Sequence, residues 1–86
     1  VIKELVPIFT EYIPENLEEG NLYISDKYQT SIHLCCCGCG NQVVVTDQWK
    51  ILVDDDKKVT ISPSIGNWNF PCKSHYFICK NKVVWL

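Results

Sequence analysis

The segment His33-Leu34-Cys35-Cys36-Cys37-Gly38-Cys39-Gly40 places four thiols and an imidazole within eight positions. Such a cluster restricts the fold more than any other stretch of the chain. Contiguous cysteines at 35, 36 and 37 fit a disulfide framework poorly, and Cys72 is followed three positions later by His75, the spacing of a metal-ligand pair. A chain of 86 residues makes one domain, 1–86, whose modest core calls for a staple. Bound metal, zinc rather than iron, is the expected staple.

Tetrahedral zinc takes four Cys or His ligands, conveniently supplied two at a time by short loops. Cys72 and His75 form one pair. For the other, Cys36 and Cys39 have the two-residue gap of a zinc knuckle, whereas Cys37 and Cys39 straddle Gly38 more tightly. The expected set is Cys37, Cys39, Cys72 and His75, with replacement of one ligand by Cys35 or Cys36 left open. Four protein ligands leave no position for water or substrate, so this site is structural. Outside it, Cys79 reads as a small buried hydrophobe.

The remainder of the chain reads as strands. Apolar residues make up 47% and charged residues 21%, and Val and Ile are abundant, which predicts a mostly β, antiparallel single domain of Rieske-like or zinc-ribbon-like type. Strands are expected at 1–9 (an edge strand, because of Pro7), 21–25, 31–34, 43–45, 49–53 and 59–62, with a terminal hairpin over 75–86 turning at Asn81-Lys82. Residues 13–20 read as a short helical turn between Pro14 and Gly20, and 62–72 as an irregular loop. The formal charge of −2 argues against a nucleic-acid partner. No apolar run approaches the roughly 20 residues of a membrane span, and no secretion signal is evident, so a cytoplasmic location without membrane contact is expected.

The spacing of C-x-C followed by C-x-x-H is similar to that of Rieske proteins, but these place Cys and His in the first motif, where Cys37 and Cys39 are both thiols. That favours zinc over an electron-carrying cluster. From about residue 11 to the end, "HLCCCGCG", "SPSIGNW" and "PCKSHYFI" together resemble a small family of bacterial domains encoded beside ubiquitin-like proteins and their E1-like and E2-like enzymes. That family's first motif is usually Cys-Pro-Cys-Gly-Cys-Gly, which sets Cys35, Cys37 and Cys39 on its cysteines and Cys36 where proline is typical. The resemblance implies an accessory role in ubiquitin-like conjugation, with the ubiquitin-like protein and its E1-like or E2-like enzymes as partners, and a peptidase that matures or releases the ubiquitin-like protein.

Peptide cleavage needs a nucleophile, a proton carrier and donors for the oxyanion. With His75 assigned to metal, His33 is the free imidazole, and Ser64 or Ser62 is the nucleophile it would activate. Asp47 is the acid nearest the cysteine cluster in sequence that could orient it, and Asp26 is an equal alternative. Gly66 and Asn67 can supply donors, and Trp68 and Tyr76 can wall a channel for an extended tail. A cysteine nucleophile, Cys35 or Cys36 beside His33, is the rival chemistry, disfavoured because metal would claim these thiolates. The alternative to an enzyme is a zinc-stabilised module that binds the ubiquitin-like protein or its conjugating enzymes.

Overall fold

The computed structural model describes residues 1–46 and 48–86; Asp47, the acid expected to orient a histidine, lies outside them. β-branched and aromatic residues at alternate positions give eight strands among the described residues and no helix. One sheet has the order β1 (Val6–Phe9), β2 (Asn21–Ser25), β3 (Thr30–Leu34), β4 (Gln42–Val45). The other has the order β5 (Lys50–Val53), β6 (Val59–Gly66), β7 (His75–Cys79), β8 (Lys82–Trp85). All neighbours are antiparallel except β1 and β2, so Pro7 does sit on an edge strand, but one that runs parallel to its partner. The antiparallel β fold with a cysteine cluster is thus present, as two small sheets.

Both sheets feed a single core. Leu22, Ile24, Val43 and Val45 from the first meet Val59, Ile61, Ile65, Tyr76, Ile78 and Val83 from the second. Alternation makes this possible: in β4 Val43 and Val45 are buried while Val44 is exposed, and in β7 Tyr76 and Ile78 are buried while Phe77 is exposed. Each buried aliphatic side chain contributes about 1.5–3 kcal/mol of transfer free energy.

Three expectations are corrected. Residues 13–20 form bends rather than a helical turn, because the segment is tied to β2: the Glu18 amide donates to Tyr23 Oη at 3.0 Å, and just upstream Glu11 O accepts from Ser25 Oγ at 2.8 Å. This segment thereby lies on the outer face of the first sheet. The irregular loop begins later than expected, since β6 runs on to Gly66 through a register shift between Ile61 and Ile65. The final hairpin turns at Lys80-Asn81, one residue early, with both φ angles positive (48° and 71°), the geometry of a type I′ turn. Asn81 suits its second position and locks it, accepting the Val59 amide on Oδ1 at 2.7 Å.

Candidate active site and thiol cluster

The bulge in β6 determines where Ser64 points. Between Ile61 (paired with Ile78) and Ile65 (paired with Tyr76), β6 advances four residues while β7 advances two, so the strand bends and re-aims the intervening side chains. Ser64 emerges half-buried beside His75, the first residue of β7, and Ser64 Oγ and His75 Nε2 share a hydrogen bond of 2.8 Å. Trp68 packs its ring against the imidazole at 5.0 Å between centroids and 59° between planes. The same indole lies over Gly66, where an added Cβ would meet Trp68 Nε1 at 2.6 Å, so glycine at 66 makes room for it. Ser64 O accepts the Trp49 indole N–H at 3.3 Å.

His75 therefore sits with the serine, not among the thiols. The four sulfurs that do gather are those of Cys35, Cys37, Cys39 and Cys72, all within 4.8 Å of one another, and such a group could hold a metal ion. Cys35 takes the place expected for His75. Two glycines in the left-handed region, Gly38 (φ 92°) and Gly40 (φ 84°), fold the first three thiols into one knuckle, closed by the Gly38 amide donating to Cys35 O and the Cys35 amide donating to Asn41 O. Cys36 points away into the core, where burial pushes its thiol up to about 11. Cys79, expected to be buried, is exposed because it shares the outward side of β7 with Phe77.

The thiols differ in readiness to ionise. The hydroxyl and amide of Ser74 draw Cys72 down to about 6, and the Asn41 amide draws Cys39 below the usual thiol range. Burial pushes Cys35 up, and Cys37 up to about 12. A metal taken up here must displace protons, so its affinity rises with pH.

His33 occupies a different environment from the one expected. It is fully buried in β3, shares a 2.8 Å hydrogen bond between Nε2 and Tyr76 Oη, and leaves Nδ1 without a partner. Burial lowers its imidazole to about 4. The expected pairing of Ser64 with His33 is replaced by Ser64 with His75, because His33 faces the core between buried neighbours while His75 faces outward. Tyr76 is likewise a core residue, its ring 5.1 Å from that of Trp85 and tilted 59° to it, rather than a channel wall. Ser62 is exposed on β6.

Asn67 is buried and committed. Its amide N–H donates to Ser74 O at 2.8 Å, and its side-chain amide donates to Ser74 Oγ at 2.8 Å. Ser74 Oγ in turn lies 3.0 Å from Cys35 Sγ and 3.5 Å from Cys72 Sγ. The loop between Gly66 and His75 is thus clasped at its base and joined to the thiol cluster. Of the sequence-derived site residues, the fold brings together Ser64, Gly66 and Trp68 around His75, and Cys37, Cys39 and Cys72 around Cys35. The signal that separates the two histidines is alternation: in "HYFIC", His75 shares the side of Phe77 that must face out if Tyr76 and Ile78 face in.

A half-buried serine–histidine pair on a small all-β scaffold, adjoining a four-thiol cluster, is the kind of arrangement that nucleophilic hydrolases acting through a hydroxyl use. The chain belongs to the family described as bacterial ubiquitination-like system serine protease (BubE), whose model matches residues 9–86. Neither a curated protein nor a solved structure matches it. Among the described residues no helix is long and apolar enough to cross a membrane.

Proposed function

We propose that this domain cleaves the C-terminal tail of the ubiquitin-like protein of its own system, with Ser64 as nucleophile and His75 as general base, beside a structural zinc held by Cys35, Cys37, Cys39 and Cys72. The observation that carries the reading is the 2.8 Å bond between Ser64 Oγ and His75 Nε2 on an accessible face. With its proton on Nδ1, His75 accepts the Ser64 proton on Nε2 as Oγ attacks the peptide carbonyl, forming a tetrahedral oxyanion. Collapse breaks the C–N bond, His75 delivers the proton to the departing amine, and an acyl-serine remains. Water, deprotonated by His75, then releases the carboxylate and restores Ser64. Trp68 restricts the imidazole to the orientation that meets Ser64.

The donor set suits zinc. Tetrahedral tetrathiolate zinc with bonds of about 2.3 Å requires sulfur separations of about 3.8 Å, and here the separations are 3.5 Å for Cys35–Cys37, 3.8 Å for Cys35–Cys72 and 3.7 Å for Cys39–Cys72. When bound, the ion supplies a crosslink and no chemistry at the peptide. Its effect on catalysis runs through the chain's own residues, from Cys72 and Ser74 to His75.

The test is incubation of the metal-loaded protein with the full-length ubiquitin-like precursor, followed by intact-mass measurement. Loss of a defined C-terminal fragment by the wild type, but not by Ser64→Ala or His75→Ala, is expected. Cleavage that persists in both variants would reject the assignment.

A further inference from the structure

The face of the second sheet that bears Ser64 and His75 extends well beyond them. Phe77, two residues along β7 from His75, lies on the same side and pairs across the strands with Val84, and both are exposed, at 38% and 47%. Leu52 on β5 is exposed on this side as well, since its neighbour Ile51 points inward opposite Ile61. The charged positions of this face are Lys50, paired with Ser62, and Lys82, paired with Cys79. Beyond the edge of β8, Glu4 bridges to Lys82 in antiparallel register, so that cation already has a carboxylate alongside it. The outer face of the first sheet differs, because residues 10–20 lie over part of it.

We infer that this surface docks the folded body of the ubiquitin-like precursor, through an apolar patch beside an acidic group, while the precursor's tail reaches Ser64. The inference rests on the proposed function for the partner's identity. Width selects the folded body over the tail: the surface spans β5 to β8, about 14 Å at the usual spacing between strands, whereas an extended tail covers one strand's width, about 5 Å. Charge selects an acidic group beside that patch, to meet Lys50, whose cross-strand partner is the neutral Ser62. Continuity selects the substrate, since His75 and Phe77 are same-side neighbours on one strand and anything seated on Phe77 and Val84 abuts the catalytic pair.

The experiment is titration calorimetry of the zinc-loaded Ser64→Ala protein, which cannot turn over, with the full-length precursor and with a synthetic tail peptide. The precursor is expected to bind at least about 10-fold more tightly than the peptide, and Val84→Glu to weaken precursor binding at least about 10-fold. Val44→Glu, an equally exposed change on the first sheet, is the control and is expected to alter binding less than about 2-fold. Circular dichroism establishes that both variants are folded. Equal affinity for precursor and peptide, or indifference to Val84→Glu, would overturn the docking surface, as would a wild-type dimer in sedimentation that Val84→Glu dissociates. Binding that is intact and sensitive to Val84, with no cleavage by the wild type, would instead sink the peptidase reading and leave the docking surface standing. Cleavage by the wild type with Val84→Glu binding unchanged would do the reverse.

Discussion

His33 in β3 and His75 in β7 each bond one hydroxyl at 2.8 Å, and they differ in almost everything around that bond. His33 lies in the interior between the sheets, meets the phenol of Tyr76, and is held neutral by burial, which lowers it to about 4. His75 lies on the outer face of the second sheet, half-buried, against a serine hydroxyl and an indole. A proton carrier must exchange protons with something that comes and goes, and only the second environment admits such a visitor. The same side chain is therefore a core polar group in one place and, in the proposed mechanism, a base in the other, and accessibility makes the difference.

The strongest way to break this contrast is to remove each imidazole in turn. His75→Ala or Ser64→Ala is expected to lower kcat by at least about 10³-fold in a protein that remains folded. His33→Gln is expected to leave kcat within about 5-fold. Measured turnover of the precursor, with melting curves alongside, decides the matter; the contrast collapses if the His33 variant is the inactive one while folded.

Metal removal probes the link between the thiol cluster and the outer face. Chelation is expected to lower the melting temperature by more than about 10 °C and to abolish cleavage, because His75 follows Ser74, which contacts Cys35 and Cys72. Cleavage that survives complete removal of the metal, measured by elemental analysis, would detach His75 from the cluster.

Acid sharpens the comparison from the side of the interior. The folded state holds His33 neutral down to about pH 4, while the unfolded chain protonates near 6.5, so the unfolded state binds the extra proton between those values. Stability from this group is present above pH 6.5 and is lost as pH falls from 6.5 to 4, by about 3 kcal/mol at about 1.4 kcal/mol per unit. Denaturant unfolding across this range is expected to show that slope in the wild type and to lack it in His33→Gln. An unchanged slope in the variant would assign the acid sensitivity to other groups.

The smallest expected effect concerns Trp68. Gly66→Ala places a methyl 2.6 Å from Nε1 of the exposed indole, a clash, so Trp68 must swing off His75. A decrease of about 5- to 20-fold in kcat/KM is expected, with little change in melting temperature. A Trp68→Ala protein should show a similar decrease, and adding Gly66→Ala to it should cost nothing further.

Much of this arrangement is legible in the residues before any coordinates. Val43 and Val45, Val59 and Ile61, and the closing "HYFIC" hairpin carry the alternation that places them in strands, and Ser64, Gly66 and Trp68 stand out for their chemistry. The exchange of His33 and His75 was harder to see, because C-x-x-H spacing reads the same whether or not the histidine reaches a metal. One clue lay in the first motif: three cysteines at 35, 37 and 39, with Cys72, already make four ligands and release His75. The bulge that aims Ser64 has no such sign, since it arises from pairing with β7, a partner distant in sequence. Residues 13–20 differ for a related reason: Pro14 and Gly20 are plausible helix boundaries, yet Tyr23 in β2 takes the Glu18 amide that a helical turn would have kept.

Sequence separation also sets an order of assembly. Ser64 and His75 are 11 positions apart, whereas Cys39 and Cys72 are 33 apart. Threefold greater separation adds about 1 kcal/mol of closure entropy, so the β6–β7 pairing that unites serine and histidine is the cheaper contact to make. During synthesis the thiol knuckle leaves the ribosome well before Cys72, and waits for it with three sulfurs in hand. Metal captured early by that knuckle would act as a template, converting the closure at Cys72 into a ligand exchange at one sulfur.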